Sequence, residues 1–200
     1  MRDDWVSPWW QALLLPDEWD VAGVRVPSLS VWHVFALSNV GNAYVCGGSV
    51  SPDDALGMLI VASLDYRDGR RLFLRGRFHA RIRRRLYRKI SKQDQEFVAA
   101  ACKEYASSCL RHGHRLSTPG AGGAPAGTPE PWAVYVALRR LGDAEAVAWD
   151  TPYAKGRATM DALDERTGGT TMAPWNYGED MFDHWDEYSA MTGTKDLVMN

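Results

Sequence analysis

From Ser51 to Leu64 the chain reads as one helix that is apolar nearly all round: Leu56, Met58, Leu59, Ile60, Val61 and Leu64 leave little polar face. Its start is well specified. Ser51 can accept a bond from a free backbone N–H, and Pro52 fits the first helical position, where its missing N–H costs nothing. Asp53 and Asp54 then complement the positive end of the helix dipole. A helix with no polar face must be surrounded, so the rest of the chain has to supply neighbours on every side.

Those neighbours also read as helices. Val31, Trp32, Phe35 and Leu37 recur at helical spacing until Gly41-Asn42 stop them, and a short apolar piece, Ala43–Cys46, runs into Gly47-Gly48. Phe78, Ile82, Leu86 and Ile90 stand four apart among arginines, an amphipathic basic helix. Ser91, with Asp94 three residues on, is the expected cap of the next helix, where Phe97, Ala101 and Tyr105 form a stripe with Val98, Cys102 and Cys109 beside it. Later, Thr128-Pro129-Glu130-Pro131 opens a helix through Trp132, Tyr135, Val136 and Leu138. Leu141-Gly142-Asp143 closes it and is expected to cap a short helix, Ala144–Trp149. Thr151-Pro152 opens the last, with Tyr153, Gly156, Met160 and Leu163 on its inner face and Gly168-Gly169 at its end. Residues 1–28 are aromatic and irregular, with Val21–Val26 too short to assign.

The expected fold is therefore mainly α: a bundle of about six or seven helices in two packed parts joined by a flexible Gly/Pro-rich linker. The parts are an N-terminal helical domain, 1–112, and a C-terminal helical unit, 130–169. Between them, 113–129 holds five glycines and three prolines among small residues, a composition that buries too little to order itself. Residues 170–200 form an acidic, aromatic tail.

Charge is unevenly placed. The 200 residues carry 23 Lys/Arg and 25 Asp/Glu, a net −2. Eleven of the cations lie between Arg70 and Lys92, where there is no acid, leaving 12 against all 25 acids elsewhere, a balance of −13. The near-neutral total hides a basic segment inside an acidic protein. The chain has no run of about 18 apolar residues and no basic-then-apolar leader, so neither a membrane span nor a secretory signal is expected, and the expected compartment is a cytosol.

Few residues invite chemistry. His33, His79, His112, His114 and His184 sit in no metal or catalytic motif. Asp53-Asp54 are accounted for as helix-start residues. Cys46 lacks a local electropositive partner, and the three cysteines read as reduced core thiols. Gly120–Gly127 lacks the Lys-Ser/Thr and the strand that a phosphate loop needs. No catalytic, cofactor or metal residue is expected, and the chain is read as a non-enzyme.

Two stretches carry a resemblance: Pro27 to Leu64, with Cys46-Gly47-Gly48 and Ser51-Pro52-Asp53-Asp54-Ala55-Leu56, and Trp132 to Gly168, with Val147-Ala148-Trp149-Asp150-Thr151-Pro152 and Asp161–Gly168. Both resemble small tail-gene proteins of tailed bacteriophages, of the tail assembly chaperone type. Thr151 stands where that pattern has a hydrophobic residue. The resemblance implies a non-enzymatic role in the host cell cytoplasm: binding a long hydrophobic tape-measure protein until tail-tube subunits replace the chaperone, which is absent from the finished particle.

Two other functions fit the residues, a virion structural or connector protein and a nucleic-acid-binding accessory protein using the basic segment 70–92. No recognisable nucleic-acid docking module accompanies that segment, and its basic face also reads as merely solvated or as paired with the chain's own acidic tail. The residues expected to carry protein interaction are Arg81, Arg84 and Arg85 on the basic helix and Trp185 and Tyr188 in the tail. Trp and Tyr give the most binding energy per residue at interfaces.

Overall fold

A computed structural model describes residues 14–75, 79–110, 115–117, 129–166, 170–172 and 198–199. Nine helices and five short strands lie within them, a mainly α fold. The chain enters through a hairpin, β1 (Glu18–Val21) and β2 (Val24–Pro27), in which Trp19 faces Val26 and Val21 faces Val24. Its two-residue turn has positive φ at both positions, 51° at Ala22 and 73° at Gly23, which matches the twist of the flanking strands. Asp20 Oδ1 accepts from the Gly23 N–H at 2.7 Å, and Val21, Val24 and Val26 are buried.

Helices α1 (Val31–Asn39) and α2 (Ala43–Cys46) lead to α3 (Pro52–Ala62), the surrounded helix. Met58 and Leu59 are fully buried, and α3 packs against α1, α2, β2, α5 (His79–Ile90) and α6 (Gln95–Leu110). Its expected start is present, with Ser51 and Asp54 forming a reciprocal capping box and Pro52 in the first turn. Between α3 and α5 lies α4 (Tyr66–Arg75), which passes so close to α1 that a Cβ at Gly69 would overlap the Trp32 indole.

Asp94 caps α6, not Ser91: its carboxylate accepts from the Glu96 N–H at 2.9 Å. The helix is also rotated from the expected stripe. Val98, Cys102, Tyr105, Ala106 and Cys109 face the core, while Phe97 is 57% exposed. Burial pushes the Cys102 thiol up to about 12 and the Cys109 thiol to about 11, which keeps both protonated. Cys46, expected in the core, is exposed.

The later helices are α7 (Glu130–Arg140), α8 (Glu145–Asp150) and α9 (Tyr153–Arg166). Neither Asp143 nor Thr151 caps as expected. Ala144 occupies the cap of α8 without a side-chain bond, and the Thr151 hydroxyl donates back to the Val147 carbonyl at 2.8 Å. The inner face of α9 is as expected at Tyr153, Gly156 and Met160, which are buried, while Leu163 is half-buried.

The helices on either side of residues 113–129 share one core, where two separate parts were expected. Val134, Leu138, Ala148, Trp149, Tyr153 and Met160 belong to the same apolar cluster as Val31, Leu37 and Met58. The backbone closes the joint: Val31 N–H donates to Thr151 O at 3.0 Å and Tyr153 N–H to Leu29 O at 2.7 Å. Gly156 makes this approach possible, since a Cβ there would lie 2.8 Å from Val134 Cγ1 and 3.3 Å from Val31 Cγ2. Within α9, buried Arg157 pairs with Asp161 at 3.1 Å and reaches Glu130 of α7.

The expected linker contains a strand, β3 (Arg115–Ser117), between β4 (Thr170–Met172) and β5 (Val198–Met199) in an antiparallel sheet. The rest of the expected linker and of the acidic tail lies outside the described residues, apart from Pro129.

Candidate interaction surface

Helix α5 lies on α3 through Ile82, Leu86 and Ile90, spaced one turn apart, with Leu86 buried and the other two half-buried. Phe78, the first residue of the expected stripe, lies outside the described residues. Everything else described on α5 is exposed, including Arg81, Arg83, Arg84, Arg85, Arg88 and Lys89. At 100° per residue, Arg81, Arg84 and Arg88 point away from the buried stripe, while Arg85 and Lys89 turn toward the hairpin. There they line a cavity of about 490 Å³ with Asp20, Arg25 and Ile82, and Lys89 Nζ donates to Gly23 O at 3.1 Å.

Among the described residues no carboxylate pairs with any of these six cations. Elsewhere such pairing occurs: Arg25 with Glu18 at 3.9 Å, Arg70 with Glu145 at 3.6 Å, and Arg71 with Asp68 at 3.8 Å. The α5 guanidiniums therefore keep their donor forks for water or for a partner.

On the other side of α5 a groove of about 410 Å³ opens between α2, the start of α3 and the start of α6. Its walls are chiefly apolar, with Tyr44, Val50, Leu56, Tyr87, Ile90 and Val98, and Asp53 and Glu96, at the starts of α3 and α6, add acid. Tyr87 is 59% exposed and Val50 45%, so the groove is open to solvent. The Tyr44 hydroxyl donates to Ala99 O at 3.4 Å, and burial pushes its pKa up to about 12, so it remains a donor.

The residues that suggested chemistry are held in structural roles. Asp54 bonds the Ser51 N–H and hydroxyl and also accepts from Ala43 N–H at 3.1 Å, tying α2 to α3. These bonds, the Ser51 hydroxyl first, hold its carboxyl below the usual range. His33 is buried within the cap of α1: its Nδ1 accepts from Ser30 N–H at 2.9 Å and its Nε2 donates to Leu64 O at 2.5 Å. Burial lowers its pKa to about 4, against the Leu64 carbonyl and Asp65, so it sits neutral.

Trp149 stacks on Tyr135 at 4.2 Å and also meets Trp32, Phe35, Tyr66 and Trp132. Asp150 accepts from Tyr66 N–H at 2.8 Å at the start of α4, and its pKa is raised, chiefly by burial. The Tyr66 hydroxyl donates to Glu145. Among the described residues no group of three or more His, Cys, Asp or Glu side chains is placed to hold a metal.

The structure thus brings Arg81, Arg84 and Arg85 together on one exposed helix, while Trp185 and Tyr188 lie outside the described residues. Arg83, Tyr87, Val50 and Tyr44 were not singled out from sequence. Tyr87, one aromatic among cations off the apolar stripe, carried a signal; Val50 and Tyr44 did not, because the groove they line forms only when three helices meet. No described helix is long and apolar enough to cross a membrane. No family model, curated protein or solved structure matches the chain.

Proposed function

We propose that this chain is a non-enzymatic assembly factor of the phage tail-chaperone type, acting in the host cell cytoplasm and binding a morphogenetic partner, the tape-measure protein, through helical surfaces. The observation that carries this reading is α5, a whole helix face of exposed cations that no carboxylate among the described residues neutralises. Arg forks match carboxylates, and weak contacts repeated along one long partner add up through avidity. The tail-chaperone resemblance lends support: its two stretches, Pro27–Leu64 and Trp132–Gly168, meet at the Ser30–Pro152 bridge and build the joint of the core.

The test is co-expression with the phage's tape-measure chain. The two should co-purify, and the factor should be missing from purified particles. Replacing Arg81, Arg84 and Arg85 together by Ala should weaken the complex. Stoichiometric copies in the particle would instead make it a virion structural or connector protein. The same cations favour a second reading, nucleic-acid binding. Binding of duplex DNA that falls steeply with salt, with a slope flattened by up to about 2.7 in the arginine variant, would establish it.

A further inference from the structure

The groove beside α5 gives the partner a chemistry. We propose that it receives an amphipathic helix of the partner, apolar face down, with carboxylates along the flank that meets Arg83 and Arg84. This deepens the assembly-factor reading and rests on it.

Three observations converge. The groove is apolar and open to solvent along Val50 and Tyr87, and its volume of about 410 Å³ holds several side chains of a docked helix. Exposed large apolar side chains gather there. Val50 and Tyr87 stand in its walls, and Phe97, between the lining residues Glu96 and Val98, is 57% exposed. Finally, the charge along its edges is one-sided. Arg83 and Arg84 lie four and three residues before Tyr87, one turn along the α5 side of the groove. The acids, Asp53 and Glu96, stand instead on the walls made by the starts of α3 and α6.

A partner carrying carboxylates on both flanks would be repelled by Asp53 and Glu96. One with carboxylates only toward α5 meets cations there and avoids the acids. The groove thereby selects the direction in which the helix lies. At the starts of α3 and α6 one free N–H each is already capped, Asp54 N–H by Ser51 Oγ and Glu96 N–H by the Asp94 carboxylate, and the acids there face the same positive helix ends. A nucleic acid is disfavoured in the groove itself, where its phosphates would face Asp53 and Glu96 over an apolar floor.

The test uses the full chain and two synthetic 14-residue helical probes with leucines at i, i+3, i+4 and i+7. One carries glutamates along one flank and glutamines along the other; the second carries lysines in place of the glutamates. The glutamate probe should bind about tenfold more tightly at low salt, the sum of two or three exposed ion pairs. Its amide perturbations should centre on Tyr44, Leu56 and Tyr87.

Arg83→Glu with Arg84→Glu should reverse the preference, and Tyr87→Ala should weaken both probes. All these side chains are exposed, and circular dichroism checks that the variants fold; Arg83→Gln with Arg84→Gln, which should erase the preference without reversing it, is the milder control. No saturable binding of the glutamate probe, equal binding of both probes, or perturbations centred elsewhere would overturn the proposal. So would a 20-bp duplex DNA that binds more tightly and is indifferent to Tyr87→Ala.

The two readings fail separately. If the triple variant Arg83→Glu/Arg84→Glu/Tyr87→Ala still co-purifies with the tape-measure chain, the groove assignment falls and the assembly role stands. If the unaltered chain binds the probe but never the tape measure, the reverse holds.

Discussion

The surroundings of Trp149 and the outer face of α5 treat polar and aromatic groups in opposite ways. Around Trp149, five aromatic rings from α1, α4 and α7 close on one indole, and the charged groups nearby are matched. Asp150 takes the Tyr66 N–H, and Glu145 takes both the Tyr66 hydroxyl and Arg70. On α5 the apolar residues are confined to one stripe, and no carboxylate among the described residues matches the cations. The first arrangement stabilises a fold and has little left to offer a ligand. The second adds little to the fold and offers its donors to no acid among the described residues. A motif such as Trp149-Asp150-Thr151-Pro152, conspicuous in sequence, is thus architectural, while the repetitive arginines mark the surface we propose for binding.

The sharpest way to break this contrast is Trp149→Ala. Removing the central ring should destabilise the protein by about 3–5 kcal/mol, since the ring packs between helices that cannot easily collapse into the gap; denaturant titration reads it. Next is pH. His33 has a folded pKa near 4, below its unfolded 6.5. The unfolded chain therefore binds the extra proton first, and stability is full above pH 6.5 and falls as pH drops toward 4. The total loss is on the order of 3 kcal/mol. His33→Gln should lower stability at neutral pH yet flatten that slope.

A smaller effect is expected at Asp54. Asp54→Ala removes the second half of the capping box and the bond to Ala43 N–H, and should cost about 1 kcal/mol. Because the folded pKa of Asp54 is depressed, its contribution is present above the ordinary carboxylate range and lost as pH falls through the folded pKa. The smallest effect belongs to α5. Arg84→Ala with Arg88→Ala should shift stability by less than about 0.5 kcal/mol while weakening partner binding. A large loss of stability there would erase the distinction between the two regions.

The helices were legible where local chemistry decides them. Ser51-Pro52-Asp53-Asp54 specifies a start whatever surrounds it, and the four-residue spacing of Ile82, Leu86 and Ile90 names a buried stripe. The hairpin was not legible, because its turn uses Ala22 at positive φ in place of the usual Asn or Asp, with Asp20 supplying the side-chain bond instead. The role of His33 hides in a Ser-x-x-His spacing, where a capping box ordinarily ends in Glu or Gln. The α6 stripe was misplaced by one position because Phe97 and Val98 satisfy helical spacing equally, and tertiary packing chose Val98. The groove was out of reach, being a property of three helices and not of any one segment.

The bond pair joining Leu29 and Val31 to Thr151 and Tyr153 turns some 120 intervening residues into a closed circuit. A protease cut made between Ser117 and Pro129 should therefore leave two fragments that elute together under native conditions and separate only in denaturant. The same two pieces, expressed apart, should find each other and reconstitute the molecule, since Val134, Leu138, Ala148, Trp149, Tyr153 and Met160 complete an interior whose other members lie before the cut.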